Sequence, residues 1–160
     1  MKLLLKNLLF TILVPGSVAG WVPWVLSGGG IPEAPWRLAF GGLLFLFGGS
    51  IYFWCLLDFI RQGRATPFPL DAPKSLVIRG LYQYSRNPMY VGVLGVICGW
   101  VIWTGNLNLI FYAAAVFLMF QAFIFFYEEP HLRKEFGNDY LDYCRRVPRW
   151  LNFKVGSRLD

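Results

Sequence analysis

Two acidic residues in succession, Glu128-Glu129, follow directly on a long apolar stretch, and Arg86-Asn87 stand just before another. A carboxylate at the end of an apolar helix is costly unless it is paired, so Glu128 is a candidate acceptor for hydroxyl or amino groups of a ligand. Arg86 carries a planar fork able to donate two hydrogen bonds to a carboxylate; an anchor at the membrane face is an equal reading of it. Tyr82 and Tyr90 can turn electron-rich ring faces toward a cation, an attraction of roughly 0.5 to 2 kcal/mol, although interfacial tyrosines also occur without a ligand. Glu129 stands four residues before Arg133 and reads as half of a helix-surface pair. His131, the only histidine, follows Pro130 in a charged segment with no evident partner for proton transfer, and reads as a surface side chain. Cys55, Cys98 and Cys144 have neither disulfide nor metal-ligand spacing, so they read as packing residues in a reducing context and no metal is expected.

The elements that must position these groups are apolar helices. Of the 160 residues 56% are hydrophobic and 19% aromatic, and the mean hydropathy is +0.48, above the apolar share of ordinary soluble domains. Four stretches carry this character, from about Leu8 to Leu26, Leu38 to Leu57, Met89 to Trp103 and Leu107 to Tyr127. A membrane crossing takes roughly 20 apolar residues. The third stretch is short, and spans only if Gly105 and Asn106 turn at the interface. Trp21, Trp24, Trp36, Trp54, Trp100 and Trp103 sit near the ends of the runs, where amphipathic rings favour the membrane interface. The expected fold is therefore all-α, a polytopic bundle with about four transmembrane helices.

The net charge of +6 does not point to nucleic acid, because the basic residues lie between apolar runs instead of along one face. Arg37 is the only basic residue in the first or third connection; the other fourteen of fifteen lie before span one, between spans two and three, or after span four. The positive-inside rule then places both termini and the central loop on the cytoplasmic side, as in a cell inner-membrane protein. Ser17-Val18-Ala19 has the composition of a leader cleavage site, but apolar character resumes at Trp21 and favours an uncleaved first helix.

Gly92, Gly95 and Gly99 share one helix face, which lets a neighbouring backbone approach closely. Gly41 with Gly48, and Gly42 with Gly49, suggest a second such contact. Pro67, Pro69 and Pro73 make the start of the central loop extended. Pro88 suits the first turn of span three, with Asn87 as its cap. After span four, Leu132, Phe136, Tyr140, Leu141 and Tyr143 alternate with charges in an amphipathic cytoplasmic segment, broken at Gly137-Asn138 into two short helices. The chain divides into an N-terminal transmembrane pair, 1–60, and a region carrying the polar motifs, 61–160.

Gly80-Leu81-Tyr82, then Ser85-Arg86-Asn87-Pro88-Met89-Tyr90-Val91-Gly92, resembles the signature of isoprenylcysteine carboxyl methyltransferases and their bacterial relatives. Glu128-Glu129, Leu132, Phe136-Gly137, Tyr140, Tyr143 and Val147-Pro148-Arg149 are similar to the paired-acid motif and tail of that family. Two motifs in the right order, over roughly Lys74 to Trp150, are more specific than either alone; the first two spans carry no such signature. The resemblance implies an S-adenosylmethionine-dependent methyltransferase with a cytoplasmic cofactor pocket and a lipid-like acceptor arriving from the bilayer. It implies that Lys74, Ser75, Leu76, Val77, Tyr82, Asn87, Pro88, Met89, Tyr90 and Glu128 line the cofactor site, with Arg86 and Glu128 doing the central work. Asn87 stands where eukaryotic members commonly have histidine, and its small polar side chain can keep a hydrogen bond there; Ile124 stands where they have an arginine associated with the accepting carboxylate, which speaks against a prenylcysteine substrate. A phospholipid amine methyltransferase and a non-catalytic membrane protein that keeps the fold are the alternatives.

Overall fold

The computed structural model describes residues 2–63 and 76–151. Among them the secondary structure is entirely helical. Helix α1, Lys2–Leu13, leads through a widened turn at Ser17–Trp21 into α2, Val22–Ser27. Pro23 has no N–H to give the carbonyl of Ala19, and the Val22 N–H reaches back to Ser17 instead of Val18. Two carbonyls are thereby left without their helical partners. The indole of Trp100 donates to Ala19 O at 2.9 Å and the hydroxyl of Tyr112 to Val18 O at 2.7 Å. Trp100 is thus a part-buried internal donor and not simply an interfacial ring.

Helix α3, Pro35–Asp58, continues into a wide turn at Phe59–Gly63. Helix α4 runs Pro88–Thr104 and α5 Asn108–Phe123. A second wide turn, Ile124–Glu128, passes directly into α6, Glu129–Arg146, so the expected separate tail continues the helix that carries the last apolar run. Within α6, Gly137 takes a left-handed φ of 52° and interrupts the helix where a break was expected. Three helical stretches, Leu5–Ser27, Pro35–Arg61 and Asn108–Arg146, are long and apolar enough to cross a membrane, and α4 is shorter. The protein is an integral membrane protein.

The expected glycine seam is the joint between α3 and α4. A Cβ on Gly48 would lie 2.6 Å from the carbonyl oxygen of Gly92, and one on Gly92 would lie 2.7 Å from that of Gly48. Backbone meets backbone there, which only glycine permits. Gly41 and Gly99 extend the seam toward Trp103 and Phe45, whereas Gly49 has nothing within 4 Å and lies outside it. Next to this joint, Ile97, Val93, Leu56, Tyr52, Val116 and Ala19 form the main apolar core. Leu46, Phe111 and Phe126 are more than 70% exposed, as lipid-facing side chains should be.

Loops gather at two ends. At one, Asn106 donates to Leu26 O, Trp103 to Gly30 O and Arg37 to Thr104 O. At the other, the segment 76–88 meets 128–150: Tyr143 donates to Tyr82 O at 2.7 Å, and the Arg86 N–H to Pro148 O at 2.9 Å.

Candidate active site

The segment before α4 is shaped by local backbone. Gly80, with φ of 60°, opens a tight turn over Gly80–Gln83, and a Cβ there would collide with the Asp58 carboxylate. This turn buries Tyr82 beside Cys55 and Val77. Burial raises the Tyr82 hydroxyl well above the ordinary tyrosine value, the proximity of Cys55 and Glu128 adding to it, so it stays protonated. Ser85 Oγ accepts the Asn87 N–H at 3.0 Å, fixing the backbone just ahead of Pro88.

Asn87 does not cap α4 with its side chain. Pro88 offers no N–H at the first position, and the carbonyl of Arg149 lies beside the amide. Asn87 Nδ2 donates to Arg149 O at 2.9 Å and Ser85 Oγ to the same oxygen at 3.3 Å. Trp150 Nε1 donates to Gln121 Oε1 at 2.9 Å. The segment 148–150 therefore straps the loop before α4 to α5.

Glu128 and Glu129 point to different places. Tyr90 Oη donates to Glu128 Oε2 at 3.0 Å, and the Tyr90 ring stacks on Phe120 with centroids 4.5 Å apart. Glu129, only 5% exposed, does not pair with Arg133 on the helix surface as its spacing suggested. It accepts from Arg149 through Nε at 2.8 Å and Nη2 at 2.9 Å, and from Arg86 Nη1 at 3.0 Å. A buried carboxylate requires such partners, and two arginines brought from distant sequence outcompete one a helical turn away. The hydrogen bond to Glu129 holds the Arg149 guanidinium above its ordinary value, with burial working against it. Arg86 Nη1 also reaches Cys144 Sγ at 2.8 Å, while its buried Nε has no hydrogen-bond partner among the described residues. His131 is half-buried and stacks on Tyr127 with ring centroids 6.0 Å apart.

These groups border a cavity of about 370 Å³, within the usual range for small-molecule sites. Tyr82, Arg86, Asn87, Met89, Tyr90 and Glu128 line it. Six sequence-predicted residues from two separate stretches, 82–90 and 128, are thus brought together. Val77 packs behind Tyr82, Leu76 packs against Tyr140 and Tyr143, and Pro88 is buried at the start of α4; none of the three borders the cavity. Lys74 and Ser75 lie outside the described residues. The rest of the lining is apolar and was not foreseen: Phe10, Val14, Pro15 and Val18 from the helical stretch Leu5–Ser27, Tyr52 and Phe59 from α3 and its turn, Val93 from α4, and Met119, Phe120 and Phe123 from α5. Of these only Tyr52 carried a sequence signal, a hydroxyl in an apolar span. The lining thus combines charged and polar side chains with a larger apolar share, a composition that suits an ionic head and a lipophilic partner at once.

A family model described as phospholipid methyltransferase matches residues 36–139. The match begins at the start of α3, so the family likeness reaches further toward the N-terminus than the two motifs show. Protein-S-isoprenylcysteine O-methyltransferase B of Arabidopsis thaliana is 37% identical over 79 residues, 49% of this chain and 40% of that protein. Protein-S-isoprenylcysteine O-methyltransferase of Mus musculus is 28% identical over 161 aligned positions, 90% of this chain and 52% of that protein. An uncharacterized protein of Haemophilus influenzae is 34% identical over 64 residues, 39% of this chain and all of that protein. The chain spans about half the length, or less, of the two methyltransferases. No solved structure matches it. The resemblance carried by the two motifs is borne out, and with the family model matching well over half of its length, the chain belongs to the phospholipid methyltransferase family.

Proposed function

We propose that this protein transfers a methyl group from S-adenosylmethionine to a lipid-like acceptor held in the membrane. The observation that carries the reading is the open cavity, which Arg86, Asn87, Tyr90 and Glu128 line together with mainly apolar side chains. The residues fit the cofactor. Arg86 keeps a buried, unpartnered Nε donor that suits a carboxylate. Glu128 offers a carboxylate to hydroxyl or amino groups, and the rings of Tyr82 and Tyr90 suit a sulfonium. When bound, the cofactor supplies an activated methyl group on sulfur. The protein's part is to hold that head at the charged side chains and seat the acceptor against Phe10, Val14, Phe120 and Phe123. No residue needs to attack.

The membrane arrangement belongs to the same reading: four crossings, with α4 the short one, and both termini and the central loop at the cytoplasmic face. The connections around 28–34 and 105–107 share one end of the bundle and the segments 76–88 and 128–150 the other, as four alternating crossings require. Arg37 is the only basic residue near the first end. Single cysteines placed at Gly29 and at Gln83 should react with an impermeant reagent from opposite sides of sealed vesicles; labelling from one side would sink the topology.

Binding is tested by titrating the purified protein in detergent with S-adenosylhomocysteine, which should bind in the micromolar range. No heat at millimolar ligand, with the protein folded, would refute the proposal. The acceptor class is then read by following radiolabelled methyl groups into extracted lipid or into protein. The absence of an arginine at Ile124, which is 1% exposed and sealed in the core, favours the lipid fraction over a prenylcysteine carboxylate.

A further inference from the structure

Glu128 and Glu129 are consecutive, so their side chains leave the helix axis about 100° apart and only one can face the cavity. The choice is set at an unsettled place. The wide turn Ile124–Glu128 carries an extra residue, and such turns shift the rotation of everything that follows. Something outside the helix must fix its azimuth.

Arg149 makes that connection. Its guanidinium grips Glu129 with two charge-assisted bonds of 2.8 and 2.9 Å, beside the single bond of 3.0 Å from Arg86 Nη1, and Glu129 is held off the cavity while Glu128 stands on the Tyr90 side. Its carbonyl is held by Asn87 Nδ2 and Ser85 Oγ. The next residue, Trp150, is tied to Gln121 on α5. One residue thus bonds both to the loop that supplies Arg86 and Asn87 and to the helix that supplies Glu128. Arg149 itself does not border the cavity.

We infer that Arg149 is a positioning residue of the cofactor site: through Glu129 it sets which acid of the pair faces the cavity, and through its carbonyl it sets the aim of Asn87. The inference rests on the methyltransferase reading. A mere clasp at the end of the bundle would also tie these segments together, but it would not make the contribution of Glu128 conditional on Arg149.

The test is a double-mutant cycle on the full chain, with S-adenosylhomocysteine affinity and thermal unfolding measured together. Arg149→Ala should lower the unfolding temperature, since it removes one of the two counter-charges of buried Glu129, and, measured at a temperature where the variant is folded, should weaken binding by about tenfold or more. Arg149→Lys, which keeps the charge but not the two-pronged geometry, should recover part of the loss. Glu128→Gln should weaken binding in the parent yet add little on the Arg149→Ala background, because there the carboxylate is no longer aimed. Fully additive losses, or an Arg149→Ala protein that binds within about twofold of the parent, would overturn the inference. Should Arg149→Ala fail to fold, Arg149→Lys decides alone: a severalfold loss of affinity in a folded protein supports it, and parental affinity overturns it. A parent that binds no S-adenosylhomocysteine overturns the methyltransferase reading and this inference with it; a parent that binds, with variants that bind equally, overturns this inference only.

Discussion

At the end of the bundle formed by the connections 28–34 and 105–107, polar side chains reach backbone carbonyls of other segments: Asn106 to Leu26, Trp103 to Gly30 and Arg37 to Thr104. The opposite end has such bonds too, from Asn87 and Ser85 to Arg149 O and from Tyr143 to Tyr82 O, but it adds contacts between charged side chains, Glu129 with Arg86 and Arg149, beside a cavity that Arg86 and Glu128 line. The first pattern closes helix ends, where carbonyls lack partners, and its one ionised group, Arg37, is only half-buried and bonds to a backbone carbonyl. The second holds ionised groups out of water, which is costly unless the fold supplies counter-charges. On the methyltransferase reading this arrangement serves a bound ligand, and that contrast is what the following variants break or sharpen.

The largest effect should come from Glu128→Gln. Its oxygen Oε2 takes the Tyr90 hydroxyl at 3.0 Å, so an isosteric amide keeps the shape and removes the charge facing the cavity. Methyl transfer should fall by about a hundredfold, on the scale of losing a positioned electrostatic contact, while the unfolding temperature changes little. Transfer of radiolabelled methyl groups at saturating cofactor, measured beside a melting curve, gives both. Near-parental turnover would mean that the charged end is as structural as its counterpart.

Next in size is Gly48→Val, in the seam that joins the two ends. A Cβ at this position meets backbone, 2.6 Å from Gly92 O and 2.7 Å from Val96 N, and backbone cannot rotate away. Overpacking of this kind costs about 1–3 kcal/mol or more, so the melting temperature in detergent should fall by several degrees and cofactor affinity should fall with it. Gly49→Val, one residue away with nothing within 4 Å, is the control and should melt with the parent.

That seam was readable from sequence because close packing leaves a periodic trace: Gly92, Gly95 and Gly99 recur at helical spacing. The helical class was readable for a similar reason, since apolar runs with charged connections admit few other folds. The site was readable only where its residues are charged or form a recognisable motif. Arg86, Asn87, Tyr90 and Glu128 stood out, whereas Phe10, Val14, Phe120 and Phe123 look like any lipid-facing side chain until coordinates turn them inward. Glu129 was misassigned because Arg133 is near in sequence, while its true partners lie 43 and 20 residues away. The helix joints leave the same trace twice: Pro23 stands two residues after the wide turn Ser17–Trp21 and Pro130 two residues after Ile124–Glu128, and in both the residue before the proline bonds five residues back.

The smallest effects should appear at the closing end, and they test the contrast from its other side. Asn106 donates from Nδ2 to Leu26 O at 3.0 Å and accepts the Asn108 N–H on Oδ1 at 2.9 Å, so it both ties α2 to the turn and orders the start of α5. Asn106→Ala removes both bonds. Because the position is solvent-exposed, water replaces them, and the cost should stay near 1 kcal/mol, as for an exposed helix-start side chain. Arg37→Gln should cost less still: its bond to Thr104 O is long at 3.3 Å, and its stacking over the exposed ring of Trp36 at 5.3 Å contributes little. Both variants should bind S-adenosylhomocysteine with parental affinity, because neither residue borders the cavity. A loss of affinity in Arg37→Gln without a matching loss of stability would show that the two ends are coupled through α3 and α4, and the separation of closing end from chemical end would no longer stand.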